Sequence, residues 1–516
     1  MNTPYYCSET IELSKFNDIV SQSHAIQFEK QVWKKLEESY NFLKNFSAEK
    51  LIYGINTGFG PMAQYKIDEE DQIQLQLNLI RSHASGMGHT LTFLQCKAAF
   101  LARVFALVQG KSGIHPSLIE TMVTMWNAGA VPVIYQHGGV GASGDLVQLA
   151  HIALGIIGEG SFYLKGEIKS AEEVFKYLGI EPFEVRIRES LALLNGTSCM
   201  TGLAALNVKQ AEYLVEWGAL TGVWINELME AYDDHFSLPL NEVKKHVGQQ
   251  KVAEKMRNIA TTSQRLKKRA DTLYNQKITT KYIEEKVQEY YSLRCIPQIV
   301  GPIFDTLEYT KAIVEQEINS VSDNPIVDVK NEMIYHGGNF HGDYISLEMD
   351  KLKIVMTKLS MLWDRQGNYL LNPNLNRHFP PFLNDGKLGL EFGLQGMQYP
   401  MVSNVAENQT LSNPMYVHSI PNNNDNQDIV SMGSNAALLT QHVLQNNFEV
   451  LSIYLLILLQ ASKLKGDAHL FSKPVQNAIE QLQAYLPVTT PPEAGYQKAQ
   501  NLAKVLKELY IQPWES

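Results

Sequence analysis

The chain has 516 residues, 45% hydrophobic and 19% charged, a balance that excludes a disordered or low-complexity protein and predicts two to four domains. Its net charge of −10, with no long lysine or arginine run, argues against a nucleic-acid partner. Cys7, Cys96, Cys199 and Cys295 are scattered without a CxxC pair, so neither a disulfide framework nor a zinc site is expected, and a reducing cytoplasm fits.

The N-terminus lacks a basic start followed by an apolar run, so no signal peptide is read there. QVWKKLEESYNFLKNF carries helical spacing within a small helical opening of about fifty residues. LIYGINTGFG reads as a strand breaking into a glycine loop. EEDQIQLQLNLIRSHASG and TFLQCKAAFLARVFALVQG read as helices stopped by glycine. AVPVIYQHGG is a short strand, DLVQLAHIALGIIGEG a buried helix, and SFYLKGEIKS a hairpin. From Asn195 a long apolar helix begins, with Thr197 or Ser198 as its N-cap. Further long patterns run near 283–320, 342–371 and 429–464, each helix of about 30 residues spanning roughly 45 Å. The apolar run at 450–459 is too short for a membrane span and reads as the core of a buried helix, so no membrane is expected. The predicted architecture is mainly α. An N-terminal mixed domain (1–196) carries the glycine loops, and a large bundle of long helices with a C-terminal helical region follows (197–516).

HGGVGASGDL, residues 137–146, concentrates four glycines around Ala142-Ser143. It satisfies GxGxxG, but βαβ alternation is missing from the later chain and Pro132 sits badly in a central strand, so a dinucleotide site is disfavoured. A plainer alternative is a turn in which Ser143 caps the helix starting near Asp145. A third reading is chemical: small neighbours let the Gly144 nitrogen reach the Ala142 carbonyl, and loss of water turns Ser143 into a dehydroalanine within a five-membered ring.

VGASGDLVQLAH resembles the signature of the aromatic amino acid ammonia-lyase and aminomutase family, whose Ala-Ser-Gly tripeptide condenses into a methylidene-imidazolone. The resemblance continues in family order through YGINTGFG, LLNGTS, EYYSLRCIPQ, SDNP, HGGNFHGD and NNNDNQDIVSMG, from about residue 50 to 435. It implies a self-formed electrophile from Ala142, Ser143 and Gly144, with neither metal nor nucleotide, acting on a small aromatic amino acid. Removing ammonia also needs a base over the weakly acidic carbon beside the ring. By resemblance Tyr53 is that base, with Gly60 closing its loop, and Tyr291 assists proton transfer. Gln288, Tyr291 and Arg294 recur every three residues and share a face if the segment is helical. Arg294 resembles the residue that holds the substrate carboxylate in a planar fork. Asn195 matches an asparagine beside the prosthetic group, or is a helix cap. Asn324 matches a carboxylate-side residue, or is a turn before proline. Phe340 matches an aromatic near the ring system. Asn423, Asn426 and Gln427 resemble a polar wall on the substrate side, the alternative being a solvated loop, and Glu407 is placed near the amine.

Substrate choice in the family depends largely on the positions of Ser82 and His83. A Ser-His pair is what histidine enzymes show, while phenylalanine enzymes tend to have Phe-Leu and many tyrosine enzymes His-Leu. NQDIVSM and QEYYSLRC depart from the histidine pattern, and RSHASG with SIPNNNDNQDIVSMG resembles bacterial tyrosine ammonia-lyases. His83 can hydrogen-bond a para-hydroxyl. Tyrosine is the first expectation and histidine the second; an aminomutase uses the same residues, and a NAD-binding protein or non-catalytic helical scaffold is the rival of another class. The family further implies a homotetramer whose active sites are shared between subunits.

Overall fold

The computed structural model describes residues 4–509 other than 49, 276, 278, 284, 285 and 487–494. The helical opening resolves into Leu13–Gln22 and Lys30–Ser47. Val32, Leu36 and Leu43 of the second are buried along one face, the spacing of an amphipathic helix. Tyr5–Cys7 and Ile26–Phe28 pair in parallel beside them.

Two expectations in this region are corrected. LIYGINTGFG forms turns and then a short 3-10 turn at Gly60–Met62, not a strand. Its own side chains take the backbone bonds a strand would give a neighbour: Asn56 Oδ1 accepts from Ile52 N at 2.8 Å, and Thr57 Oγ1 from Gly54 N at 3.1 Å. The helix Gln72–His83 ends before its glycine, because Gly86 N donates instead to His151 Nε2 at 3.0 Å. The helix Phe93–Val108 does stop at a glycine, Gly110, with φ +68°.

AVPVIYQHGG splits between two sheets. Val131–Pro132 is the edge of a three-stranded antiparallel sheet completed by the hairpin Ser161–Leu164 and Glu167–Ser170. Tyr135–His137 pairs with Met87–Thr90. Pro132 is tolerated because it lies on an edge. Among the described residues the one parallel strand pair is at the N-terminus, so the glycine cluster does not open a βαβ unit.

Four long helices follow: Ser198–Leu228, Ile296–Ile318, Asp343–Leu371 and Gly433–Lys465. The pattern expected from about 283 starts late, as the short helix Tyr291–Arg294 followed by Ile296–Ile318. Pro297 explains the break: it has no N–H to continue a helix from 293, yet fits the first turn of a new one. The apolar run at 450–459 is buried inside Gly433–Lys465. That helix is the one among the described residues long and apolar enough to cross a membrane, and 78% of its most apolar window is buried within the fold.

Two compact units are assembled from interleaved segments. The first comprises Met1–Lys209, Thr310–Asp350 and Pro414–Thr440; the second Gln210–Tyr309, Lys351–Asn413 and Gln441–Ser516. These are not two consecutive stretches divided at 196/197, as the sequence had suggested. In the second unit, buried Trp224 donates to Ser462 Oγ at 2.8 Å and buried Trp363 to Thr221 Oγ1 at 3.2 Å. Indole N–H groups placed this deep need such partners.

Candidate active site

In the first unit, four segments converge on 140–145. Gly141 O accepts from Ser431 Oγ at 3.0 Å and from Gly342 N at 3.2 Å, and Val140 O accepts from Met432 N at 2.9 Å. His341 Nδ1 lies 3.3 Å from Ala142 O; a carbonyl only accepts, so that nitrogen carries the proton. Ser143 itself is held twice, its carbonyl by Asn195 Nδ2 at 3.1 Å and its Oγ by Gln427 Nε2 at 3.0 Å. Gly141 and Gly144 have φ of +77° and +71°. A Cβ on Gly141 would fall 2.0 Å from Ser431 Oγ, and one on Gly144 would fall 2.0 Å from Gly196 O. Only glycine fits at either position. The loop is thus stripped bare where Ser431 and the Gly196 backbone press on it, and Ser143 is held at both its carbonyl and its hydroxyl oxygen.

Ser143 does not cap the following helix. That helix, Leu146–Ile156, has no side-chain cap at its start. Asp145, fully buried, turns away and serves the long helix Ser198–Leu228: its Oδ2 accepts from Met200 N at 2.9 Å and its Oδ1 from Ser434 Oγ at 2.5 Å. The cap expected from Thr197 or Ser198 is therefore supplied by a carboxylate distant in sequence, at the end of the helix where the dipole favours negative charge. Burial pushes the Asp145 carboxyl up to about 6 against those hydrogen bonds.

The tyrosine loop packs against the asparagine-rich loop. Gly60 N donates to the Tyr53 hydroxyl at 3.2 Å, and the Tyr53 ring stands edge-on to Phe59 and His336. Gly60 has φ +53°, and a Cβ there would lie 3.0 Å from Asn423 Nδ2. Asn423, Asn424 and Asp425 are successively left-handed, a conformation that asparagine and aspartate tolerate better than other side chains. Asn422 and Gln427 close the turn by exchanging backbone bonds at 3.2 and 3.3 Å, and Asn426 N donates to Asn423 O inside it. One loop thereby reaches the Tyr53 loop through Asn423 and Ser143 through Gln427. Asn324 Oδ1 accepts from Gly337 N at 2.8 Å, and Phe340 lies half-buried one residue before His341.

His83 is the last residue of its helix. Its Nδ1 lies 3.0 Å from both Leu79 O and Ser82 Oγ. The carbonyl only accepts, so this bond needs the proton on Nδ1, the tautomer in which Nε2 is the acceptor.

Gln288, Tyr291, Arg294 and Glu407 belong to the second unit. The first three line a cavity of about 500 Å³ together with Lys286, Asn374 and Arg377. They do not share a helix face, because the helix begins only at Tyr291. They meet by a fold-back instead: Arg294 Nη1 donates to Gln288 Oε1 while its guanidinium lies over the Tyr291 ring, 4.6 Å from the centroid. Glu407, on the helix Gln395–Leu411, accepts from Asn446 Nδ2 at 2.7 Å and pairs with His442 at 3.5 Å.

The chain matches the model of the aromatic amino acid lyase family over residues 11–484. The chain belongs to that family. It is 38% identical over 442 residues to the tyrosine 2,3-aminomutase of Myxococcus sp. (strain Mx-B0), covering 84% of each chain. It is 37% identical over 454 residues to the tyrosine ammonia-lyase of Cupriavidus metallidurans, covering 86% of this chain and 85% of that one. It is 38% identical over 420 residues to the histidine ammonia-lyase of Geobacillus thermodenitrificans, covering 81% and 80%. The crystal structure of the tyrosine aminomutase from Streptomyces globisporus superposes with a TM-score of 0.94 at 31% identity, over 99% of this chain and 98% of that one. Membership in the aromatic amino acid lyase family makes the chain an ammonia-lyase or aminomutase of aromatic amino acids.

Within this lyase, the first unit gathers Tyr53, Gly60, Ala142, Ser143, Gly144, Asn195, Asn423, Asn426 and Gln427 into one connected cluster. His83 lies in the same unit with hydrogen bonds to its own helix. Sequence reasoning missed His341, Ser431, Ser434 and Gly196, all of which hold the loop. His341 and Ser431 were within reach, since they lie inside HGGNFHGD and NQDIVSMG.

Proposed function

We propose that this chain eliminates ammonia from L-tyrosine to give trans-p-coumarate, using a methylidene-imidazolone formed autocatalytically from Ala142, Ser143 and Gly144. The observation that carries this reading is the cradle at Ser143: Gly141 and Gly144 without room for a Cβ, an amide donor on the Ser143 carbonyl and another on its hydroxyl oxygen. Once formed, the group supplies an electrophilic carbon that none of the twenty side chains offers. The chain's own residues do the rest. The fork of Arg294 binds the substrate carboxylate through two parallel hydrogen bonds. Tyr53, its hydroxyl fixed by Gly60 N, takes the proton from the carbon beside the ring, and Tyr291 assists the proton transfer. Asn195 holds a donor where negative charge develops. Gln288, Asn324, Phe340, Asn423, Asn426 and Gln427 line the substrate, and Glu407 acts toward the amine. The protein works as a homotetramer in the cytoplasm, its sites completed between subunits.

The choice of tyrosine rests on the departures of NQDIVSM and QEYYSLRC from the histidine pattern, and His83 is compatible with it. With Nε2 free to accept, it receives a hydrogen bond from the para-hydroxyl, which acts as donor. A tyrosine ammonia-lyase and a tyrosine aminomutase among the relatives support a tyrosine pocket. Two observations favour second readings: the Ser82-His83 pair suits a histidine ammonia-lyase, and the aminomutase relatives suit re-addition of ammonia to the neighbouring carbon. Incubation with L-tyrosine, L-histidine and L-phenylalanine separately, followed by product identification, tests the reading. p-Coumarate from tyrosine is expected. Urocanate alone would refute the substrate, and a β-amino acid without p-coumarate would refute the lyase outcome.

A further inference from the structure

Behind the Ser143 cradle lies a fully buried guanidinium to which the chemistry above assigns no role. Arg103, on the helix Phe93–Val108, donates through Nη2 to Ala192 O and, at 3.0 Å, to Asn195 O; its Nη1 lies 3.5 Å from Ser198 Oγ. Nη1 also occupies the place of a side chain at Gly196, where a Cβ would fall 2.1 Å away. The two residues held in this way press on the tripeptide. Asn195 donates to Ser143 O, Gly196 O accepts from Asp145 N at 2.8 Å, and the same oxygen forbids a Cβ on Gly144.

We propose that Arg103 is a positioning residue for the self-condensation of Ala142, Ser143 and Gly144, fixing Asn195 and Gly196 as the template against which the ring closes. This rests on the condensation named under Proposed function. Ring closure joins Gly144 N to the carbonyl carbon of Ala142. The Ala142 oxygen leaves as water with one proton from Gly144 N and one from Ser143 N. The Ser143 hydroxyl leaves as a second water with the proton from its own Cα. No oxidant or reductant is required. Loss of the Cα proton places negative charge on the Ser143 carbonyl oxygen, the atom that Asn195 Nδ2 contacts. The template must therefore hold one amide within hydrogen-bond reach of that oxygen while keeping Gly196 O against Gly144.

A planar guanidinium suits the task because its two ends do different work: Nη2 donates to both carbonyls at the end of the short helix Glu189–Leu194, where backbone oxygens lack intrahelical partners, while Nη1 fills the space beside Gly196. A lysine brings the charge without the fork. The neighbouring buried Arg188 is engaged otherwise, in a two-point pair with Asp323 at 2.9 Å. Arg188→Lys therefore serves as a control for exchanging any buried guanidinium for an ammonium. Burial draws the Arg103 guanidinium down to about 10, so it stays protonated at neutral pH.

The test measures the mass of the peptide carrying residues 142–144 from soluble, folded wild type, Arg103→Lys, Arg103→Met and Arg188→Lys. Wild type and Arg188→Lys are expected to have lost two waters completely, Arg103→Lys only in part, and Arg103→Met to keep both waters in most molecules. Complete dehydration of both Arg103 variants overturns the proposal. So does equal retention of water in Arg188→Lys, which would mark a structural effect without specificity. Where Arg103→Met is insoluble, Arg103→Lys decides by the same criterion. Retention of both waters by the wild type would instead defeat the condensation itself, separating the failure of that reading from the failure of this one.

Discussion

Gly144 shows how sharply a single residue is specified here. Its φ of +71° costs a side-chain-bearing residue about 1–2 kcal/mol, and the added Cβ would collide with Gly196 O at 2.0 Å. Gly144→Ala is expected to lower the melting temperature and to abolish turnover; a variant with wild-type activity would remove the glycine requirement. Tyr53→Phe removes one hydroxyl held by a backbone N–H. Its fold should survive, with an unchanged melting temperature, while kcat falls by about 10²–10⁴-fold, the range typical of a lost general base. At this scale the reacting tripeptide and most of its neighbours could be read from the sequence, because each sits in a compact motif. The partners of Asp145 and Arg103 could not. A carboxylate that caps a helix starting far along the chain, and a guanidinium that fills the space of a glycine, depend on proximity that no local pattern encodes.

At the scale of elements, the long helices were legible because apolar residues recur with helical spacing over many turns. Starts and stops were harder. The helix expected from about 283 begins at Tyr291, since Pro297 forces a new first turn, and Gln288 reaches Arg294 by folding back. The tyrosine loop looked like a strand start because Leu51, Ile52 and Tyr53 form a short apolar run before the glycines, yet Asn56 and Thr57 satisfy its backbone locally. Packing between elements also buries charge. Glu227, at the end of Ser198–Leu228, accepts from Ser472 N at 2.7 Å where the helix Lys473–Ala484 begins. Burial raises its carboxyl from 4.5 to about 7. The folded chain thus binds this proton more tightly than the unfolded chain. The associated stability is fully present below about 4.5 and is lost as pH rises toward 7. Glu227→Gln keeps an acceptor without the titration, so the melting temperature of the variant relative to wild type should climb between those two values and then level off. A difference that does not change with pH would contradict this account of Glu227.

For the whole molecule, sequence order misled about the compact units. The chain threads the first unit in three passages and the second in three, and each long helix contributes residues to both. Composition cannot reveal this, because both units draw on the same kind of apolar helix. The proposed tetramer predicts a solution mass of four chains by light scattering, and a monomer with full activity would contradict shared sites. The claim on which the rest depends is that Ser143 is no longer serine in the mature protein. Intact mass spectrometry of the purified wild type beside Ser143→Ala tests it directly. The wild type should be lighter than its sequence by two waters and the folded variant should carry its full, inactive mass; a wild type at full sequence mass would contradict the account.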